Sequence, residues 1–287
     1  MSAQHPFIEE ALTFSCEQET LVGVLTRPLH PTDSGVVIVV GGPQTRVGSH
    51  RQFVLLARAL AAAGHAVLRF DVRGMGDSRG ATRSFEAMDD DVAAALDQLC
   101  HSVPGLRRVV LWGLCDAASA ALLYCQRRGD ARVTGLCLLN PWVRSEQSLA
   151  KTQVRHYYTQ RLRQKEFWLK LLSGRVGVQA LLGLWQKWRL SVSAPGADPS
   201  ETQNLTFQDR MARGWKGFAG PILLILSGDD YTAREFLAFT ADDAAWCGWS
   251  QHAALTRHDL PGVDHTFSNA QARAQVEQLT AAWLAKV

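Results

Sequence analysis

At 287 residues, with 47% hydrophobic and 20% charged side chains, the chain is long enough for one large α/β domain or a core with an insertion. A formal charge of +3 without a dense basic cluster argues against a nucleic-acid partner. Six cysteines (Cys16, Cys100, Cys115, Cys125, Cys137 and Cys247) lack CxxC spacing, so neither a metal site nor a disulfide framework is expected, and no cofactor is implied.

The first seven residues, Met-Ser-Ala-Gln-His-Pro-Phe, lack a basic region leading into an apolar run, so no signal peptide is expected. No apolar stretch approaches the ~18 residues of a membrane span. The cytoplasm is the expected location.

In chain order, Ala11–Cys16 and Leu21–Thr26 read as an antiparallel pair joined at Gln18-Glu19, followed by a loop marked by Pro28 and Pro31. Val36–Val40 reads as a buried strand ending in Gly41-Gly42-Pro43-Gln44. From about Ser49 to Ala63, Phe53, Leu56, Ala57 and Leu60 recur at helical spacing, and Gly64 stops the pattern. His65–Phe70 is the next strand, then comes a helix from about Phe85 to Cys100 with Asp90, Asp97 and Gln98 on its polar face. Two further strands follow, Val109–Leu114 and Val133–Leu139. After residue 220 the rhythm resumes with strand Pro221–Leu226, a helix near Ala233–Trp246, strand Ala254–Asp259 and a helix near Asn269–Ala285. Alternation of this kind builds a mostly parallel sheet with helices on both faces, the antiparallel opening lying at one edge.

Between about Val143 and Gly220 the alternation breaks. Lys151, Arg155, Arg161, Arg163, Lys165 and Lys170 mix there with Tyr157, Tyr158, Phe167, Trp168, Trp185 and Trp188. The expected organisation is a core of residues 1–142 and 221–287 with an inserted helical cap at 143–220. A basic, aromatic helical face also suits peripheral contact with anionic lipid.

Four strand ends carry chemistry, and ligands in open α/β sheets bind at the carboxyl ends of strands. Gly113-x-Cys115-x-Ala117 joins a strand to a helix in the pattern of a nucleophile elbow, where small neighbours let the chain fold back. The helix start just behind Cys115 favours negative charge at that point. Asp229-Asp230 follows a strand, and His265 lies beyond the last one. Nucleophile, acid and histidine thus occur in the order this architecture uses, with Asp230 expected to orient His265 and Asp229 left to cap or lead into the following helix or to stay solvated. The oxyanion hole is expected from the N–H groups of Gly42 and Asp116, since Pro43 has no N–H. The Asp116 carboxylate opposes a neighbouring thiolate unless it points into the first helical turn.

The segments Gly41-Gly-Pro-Gln-Thr-Arg46-Val-Gly48-Ser-His50-Arg51, Arg69-Phe-Asp71-x-Arg73-Gly74-x-Gly76-Asp77-Ser78, Gly113-Leu-Cys115-Asp116-Ala117 and Asp264-His265-Thr-Phe267 resemble the α/β-hydrolase superfamily. More narrowly, they resemble the exosortase A system-associated hydrolase 1 family, over residues 7 to the C-terminus. The resemblance implies an α/β-hydrolase fold and a link to exopolysaccharide and protein-sorting loci. Cysteine in place of the usual serine, and a loop without the usual His-Gly opening, turn the expectation away from peptidase or lipase chemistry. The expected substrate is a small acyl compound, lipid- or sugar-linked, presenting an ester, thioester or lactone to a Cys115–His265–Asp230 triad. Hydrolysis and transfer to a sugar hydroxyl share the same thioacyl intermediate, and a non-catalytic binding module is the alternative from another class. Arg46, His50 and Arg51 are expected either to bind an anionic part of the substrate or to brace their loop through salt bridges.

Overall fold

The computed structural model describes residues 6–144 and 205–287. The chain divides into two units, one made of Met1–Val143 with Thr206–Val287 and the other of Arg144–Leu205. Apart from its two ends, the expected cap at 143–220 lies outside the described residues.

Eight strands form a single sheet: β1 (Phe7–Cys16), β2 (Glu19–Pro28), β3 (Ser34–Val39), β4 (Ala66–Phe70), β5 (Arg108–Leu114), β6 (Val133–Leu139), β7 (Ile222–Ser227) and β8 (Leu255–Leu260). Their spatial order is β1-β2-β4-β3-β5-β6-β7-β8. Pairing is antiparallel from β1 through β2 to β4 and parallel everywhere else. Among the described residues the α-helices are α1 (Gln52–Ala62), α2 (Asp89–Ser102), α3 (Asp116–Arg128), α4 (Phe207–Gly217), α5 (Tyr231–Asp242) and α6 (Ala270–Leu284). The chain therefore has the α/β-hydrolase architecture: a mostly parallel sheet covered on both faces.

Two-residue periodicity splits each central strand between two cores. Val36, Ile38, Val110, Trp112, Leu223 and Ile225 face α1 and α6. Val37, Val39, Leu111, Leu138 and Leu224 face α2, α3 and α4. Because both sides are covered, β3 and β7 read as unbroken apolar runs. The helix expected over 49–63 begins as a 3₁₀ turn at Ser49–Arg51, where His50 (φ 53°) and Arg51 (φ 61°) take left-handed backbone. No helix among the described residues is long and apolar enough to cross a membrane.

The Asp71–Ser78 loop is held by charges with no water to screen them. Arg73 is 2% exposed and Asp91 0%. Arg73 donates from N at 2.8 Å, Nε at 3.0 Å and Nη2 at 2.9 Å to the Asp91 carboxylate on α2. Ser78 Oγ donates to the Asp71 carbonyl at 2.6 Å and accepts the Val22 N–H at 2.9 Å, fastening the loop to β2. The Asp-x-Arg-Gly-x-Gly-x-Ser stretch is thus a brace beneath the sheet's carboxyl edge.

Loss of Asp91 takes the fully buried carboxylate from Arg73, which keeps its pair with Glu17 and has Asp90 at 3.7 Å. Asp91→Ala is therefore expected to lower stability by about 3 kcal/mol, the low end of what breaking a buried pair costs. Urea unfolding measures it, and a loss under about 1 kcal/mol would mean that Glu17 and Asp90 suffice to hold Arg73.

Candidate active site

The turn from β5 into α3 places Cys115 at the carboxyl edge of the sheet. Its backbone sits at φ 62°, ψ −124°, a region that L-residues rarely adopt, and it is pinned by its N–H donating to the Leu139 carbonyl at 2.8 Å. Trp142 N–H donates to the Cys115 carbonyl at 3.3 Å. Position 113 must be glycine, because a β-carbon there would lie 2.6 Å from the Ala117 carbonyl carbon and oxygen. The sheet thereby holds the sulfur-bearing residue half-buried at its edge, against the margin of the core that faces α1 and α6.

Two strands away, β7 ends at Ser227 and α5 begins at Tyr231. Asp230 is the residue that caps this helix, accepting N–H bonds from Thr232 at 3.0 Å and Ala233 at 3.3 Å. Asp229, left in the sequence to cap, to lead into the helix or to stay solvated, is exposed and faces Arg234 at 3.6 Å. The helix simply starts two residues earlier than its apolar pattern suggests, which moves the cap to position 230. The same Asp230 carboxylate accepts from His265 Nδ1 at 2.8 Å. Burial pushes the Asp230 carboxyl up, but the bonds from His265, Thr232 and Ala233 outweigh this and hold it below the usual range.

His265 reaches this position on the loop after β8. Asp264 folds that loop, its carboxylate accepting the N–H groups of Thr266 at 3.0 Å and Ser268 at 3.1 Å. The Asp230 hydrogen bond and then that of the Cys115 side chain push the His265 pKa up to about 10, against a smaller opposing effect of burial. Cys115, His265 and Asp230, singled out in the sequence, are thus adjacent in space. The other thiols differ in setting. Burial pushes Cys16 up to about 11 and Cys125 up to about 12, and it raises Cys137 further still.

The expected oxyanion donors are also brought together, but they are occupied. Gly42 N–H donates to Asp116 Oδ2 at 2.8 Å. The N–H groups of Ala117 and of Asp116 itself interact with the same carboxylate, which burial nevertheless holds above the ordinary aspartate range. Asp116 therefore touches the first turn of α3, as its sequence position suggests, while also reaching across to the loop after β3.

Arg46 is not available to a substrate anion. Its Nη2 donates to Asp77 at 2.6 Å, its Nη1 pairs with Asp71, and its backbone N–H meets Asp71 Oδ1 at 2.6 Å. It braces its own loop. His50 and Arg51 stand exposed on the turn before α1, and no hydrogen bond among the described residues joins them to the triad. Asn140 is a positioning residue that sequence reasoning passed over. Its Nδ2 donates to Ser227 Oγ at 2.9 Å, and its Oδ1 accepts Ser227 N–H at 2.8 Å. Nδ2 also lies 3.5 Å from the His265 carbonyl, so one amide ties β6, β7 and the histidine loop together. The only sequence signal for it is an asparagine at a strand end. Among the described residues no group of three or more His, Cys, Asp or Glu could hold a metal ion.

A family model described as the alpha/beta hydrolase family matches residues 36–279. Similar solved structures include an esterase of Pyrococcus furiosus, 15% identical, with a TM-score of 0.63 over 98% of this chain and 93% of that one. A dienelactone hydrolase of Anabaena variabilis is 16% identical, with a TM-score of 0.60 over 98% and 99% of the two chains. An α/β serine hydrolase without lid from Xanthomonas campestris is 14% identical, with a TM-score of 0.56 over 97% and 94%. No curated protein matches the chain.

Since the His265 pKa is raised on folding, the folded protein keeps a proton that the unfolded chain releases near ~6.5. The contribution of His265 to stability is therefore complete below about pH 6.5 and lost as pH rises through about 10. Asp230→Asn removes the largest cause, and the His265 ring signals in an NMR titration are expected to move their midpoint down by about one unit or more. An unmoved midpoint would mean that Asp230 does not hold the proton there.

Proposed function

Because the chain belongs to the alpha/beta hydrolase family, we propose that it is an acyl hydrolase that uses Cys115 as nucleophile, His265 as base and acid, and Asp230 as the group orienting the imidazole. The observation that carries this reading is the hydrogen-bonded line from Asp230 through His265 to Cys115 at the carboxyl edge of the sheet. The Cys115 sulfur donates its electron pair to the acyl carbon, and its proton resides on His265. The bond to the leaving group then breaks, and the leaving group departs with that proton. This produces a thioacyl enzyme and a neutral imidazole. Water next attacks the acyl carbon while giving a proton to His265, the C–S bond breaks, and the thiolate–imidazolium pair is restored.

A sulfur nucleophile suits esters, thioesters and lactones better than amides, because the thiolate leaves more readily than an amine. The oxygen that turns negative belongs at the Gly42 and Asp116 N–H groups, where the Asp116 carboxylate now sits. His50 and Arg51, exposed and without a described partner, are the groups that would meet an anionic part of the substrate. The resemblance of the elbow and of residues 41–51 to exosortase A system-associated hydrolases supports a substrate connected with exopolysaccharide, with a sugar hydroxyl as a further acceptor for the acyl group.

Incubation with a panel of acyl thioesters is expected to add the acyl mass to Cys115, as read by peptide mass spectrometry. Cys115→Ala should abolish turnover, a loss of at least ~10³-fold, and Cys115→Ser should leave a small fraction. Undiminished turnover in the alanine variant would move the chemistry to another residue.

A further inference from the structure

An oxyanion hole works because its N–H groups are aimed, before reaction, at the place where negative charge will develop. Here that place is filled by a side chain of the protein itself. Asp116 Oδ2 takes the Gly42 N–H at 2.8 Å, and the Ala117 and Asp116 N–H groups face the same carboxylate. The loop is shaped to admit it: a β-carbon on Gly41 would lie 2.0 Å from Asp116 Oδ1 and 2.7 Å from the Ala117 nitrogen. Only a bare glycine backbone leaves room for the carboxylate between the β3 loop and α3. The seat is therefore built from three separate features: a glycine without a side chain, an N–H from residue 42, and the N-terminus of a 13-residue helix.

A neutral carbonyl oxygen is a weaker acceptor than a carboxylate and has no tether to hold it there. It therefore competes poorly for these donors. Loss of a single oxyanion donor costs about 10²- to 10³-fold in kcat. That cost falls unevenly across substrates. It is greatest where the transition state carries nearly full charge on oxygen, as for a poor alkoxide leaving group. It is least where a good leaving group makes bond breaking easy and the charge stays small.

Resting on the reading of Cys115 as the acyl acceptor, we propose that Asp116 is a specificity-determining residue: by occupying the N–H groups around Cys115, it confines the site to activated acyl donors, such as aryl thioesters and strained lactones, and excludes simple alkyl esters. Asp116 makes no bond to substrate in this scheme. It selects by withholding donors.

The experiment compares kcat/KM for a phenyl thioester and an ethyl ester of the same acyl group in the wild type, Asp116→Ala and Asp116→Asn. In Asp116→Ala the donors are freed, and the ethyl ester is expected to gain at least ~10-fold more than the thioester. In Asp116→Asn the amide oxygen still accepts from Gly42, so the ratio of the two substrates should stay within about threefold of wild type although the charge is gone. Equal gains for ester and thioester in Asp116→Ala, or an equal change of ratio in both variants, would overturn the proposal, the second outcome because charge alone would then suffice. Asp116→Ser, whose shorter side chain stops short of Gly42, replaces the alanine variant if thermal unfolding shows the latter to be unfolded. Iodoacetamide labelling separates the two layers, because alkylation of a thiol needs no oxyanion hole. Cys115 labelling that depends on His265, together with an unmoved substrate ratio, would overturn the role of Asp116 alone. Labelling of Cys115 no faster than that of the exposed Cys247 would overturn the nucleophile and this role together.

Discussion

The site depends on one carboxylate serving both a helix start and an imidazole. Asp230 accepts the first N–H groups of α5 and the Nδ1–H of His265. The helix start fixes the carboxylate, and the carboxylate in turn fixes the ring. A side chain held by backbone N–H groups loses little further freedom when it binds a second partner, so the imidazole is oriented by a part that is already rigid. The same bond is the largest of the effects that raise the His265 pKa, ahead of the Cys115 side chain. Orientation and part of the shift thus come from one interaction.

The rest of the architecture delivers parts to that point. Parallel strands β5 and β7 end at the same edge because β6 lies between them in register, with Leu139 aligned to both Leu114 and Ile225. Asn140 closes the gap at the strand ends and reaches the histidine loop. On the other side of β5, the 41–51 loop is fastened by Arg46 to Asp71 and Asp77, and the Asp71–Ser78 loop is fastened by Arg73 to Asp91. Two layers of paired charge, the inner one buried, therefore stand behind the loop that carries Gly41 and Gly42.

The sequence disclosed this arrangement unevenly. Unbroken apolar runs at residues 36–40 and 221–226 identify strands buried on both faces, and the elbow residues identify the strand that carries the sulfur. Cys115, Asp230 and His265 are legible because this architecture puts its chemistry at strand ends. What escapes are contacts between distant segments. Asp91 sits among Asp89 and Asp90 and reads as one more residue of a polar helix face, yet it is fully buried against Arg73. Arg46 reads equally as an anion-binding cation or a salt-bridge brace, and the fold of its loop over Asp71 settles on the brace. The reach of Asp116 to Gly42 spans 74 positions, and no local pattern encodes it. That Asp230 also caps α5 turns on a shift of two residues in a helix start, finer than apolar spacing resolves.

The backbone at Cys115 has a consequence for how this molecule could be made hardier. A non-glycine residue at φ 62°, ψ −124° carries a strain of order 1–3 kcal/mol, a sizeable fraction of the ~5–15 kcal/mol that keeps an ordinary domain folded. Glycine at position 115 would relax that turn while discarding the sulfur. On the proposed role of Cys115, selection for heat tolerance alone would therefore drift toward an inert scaffold, and the strain would mark where durability is exchanged for reactivity.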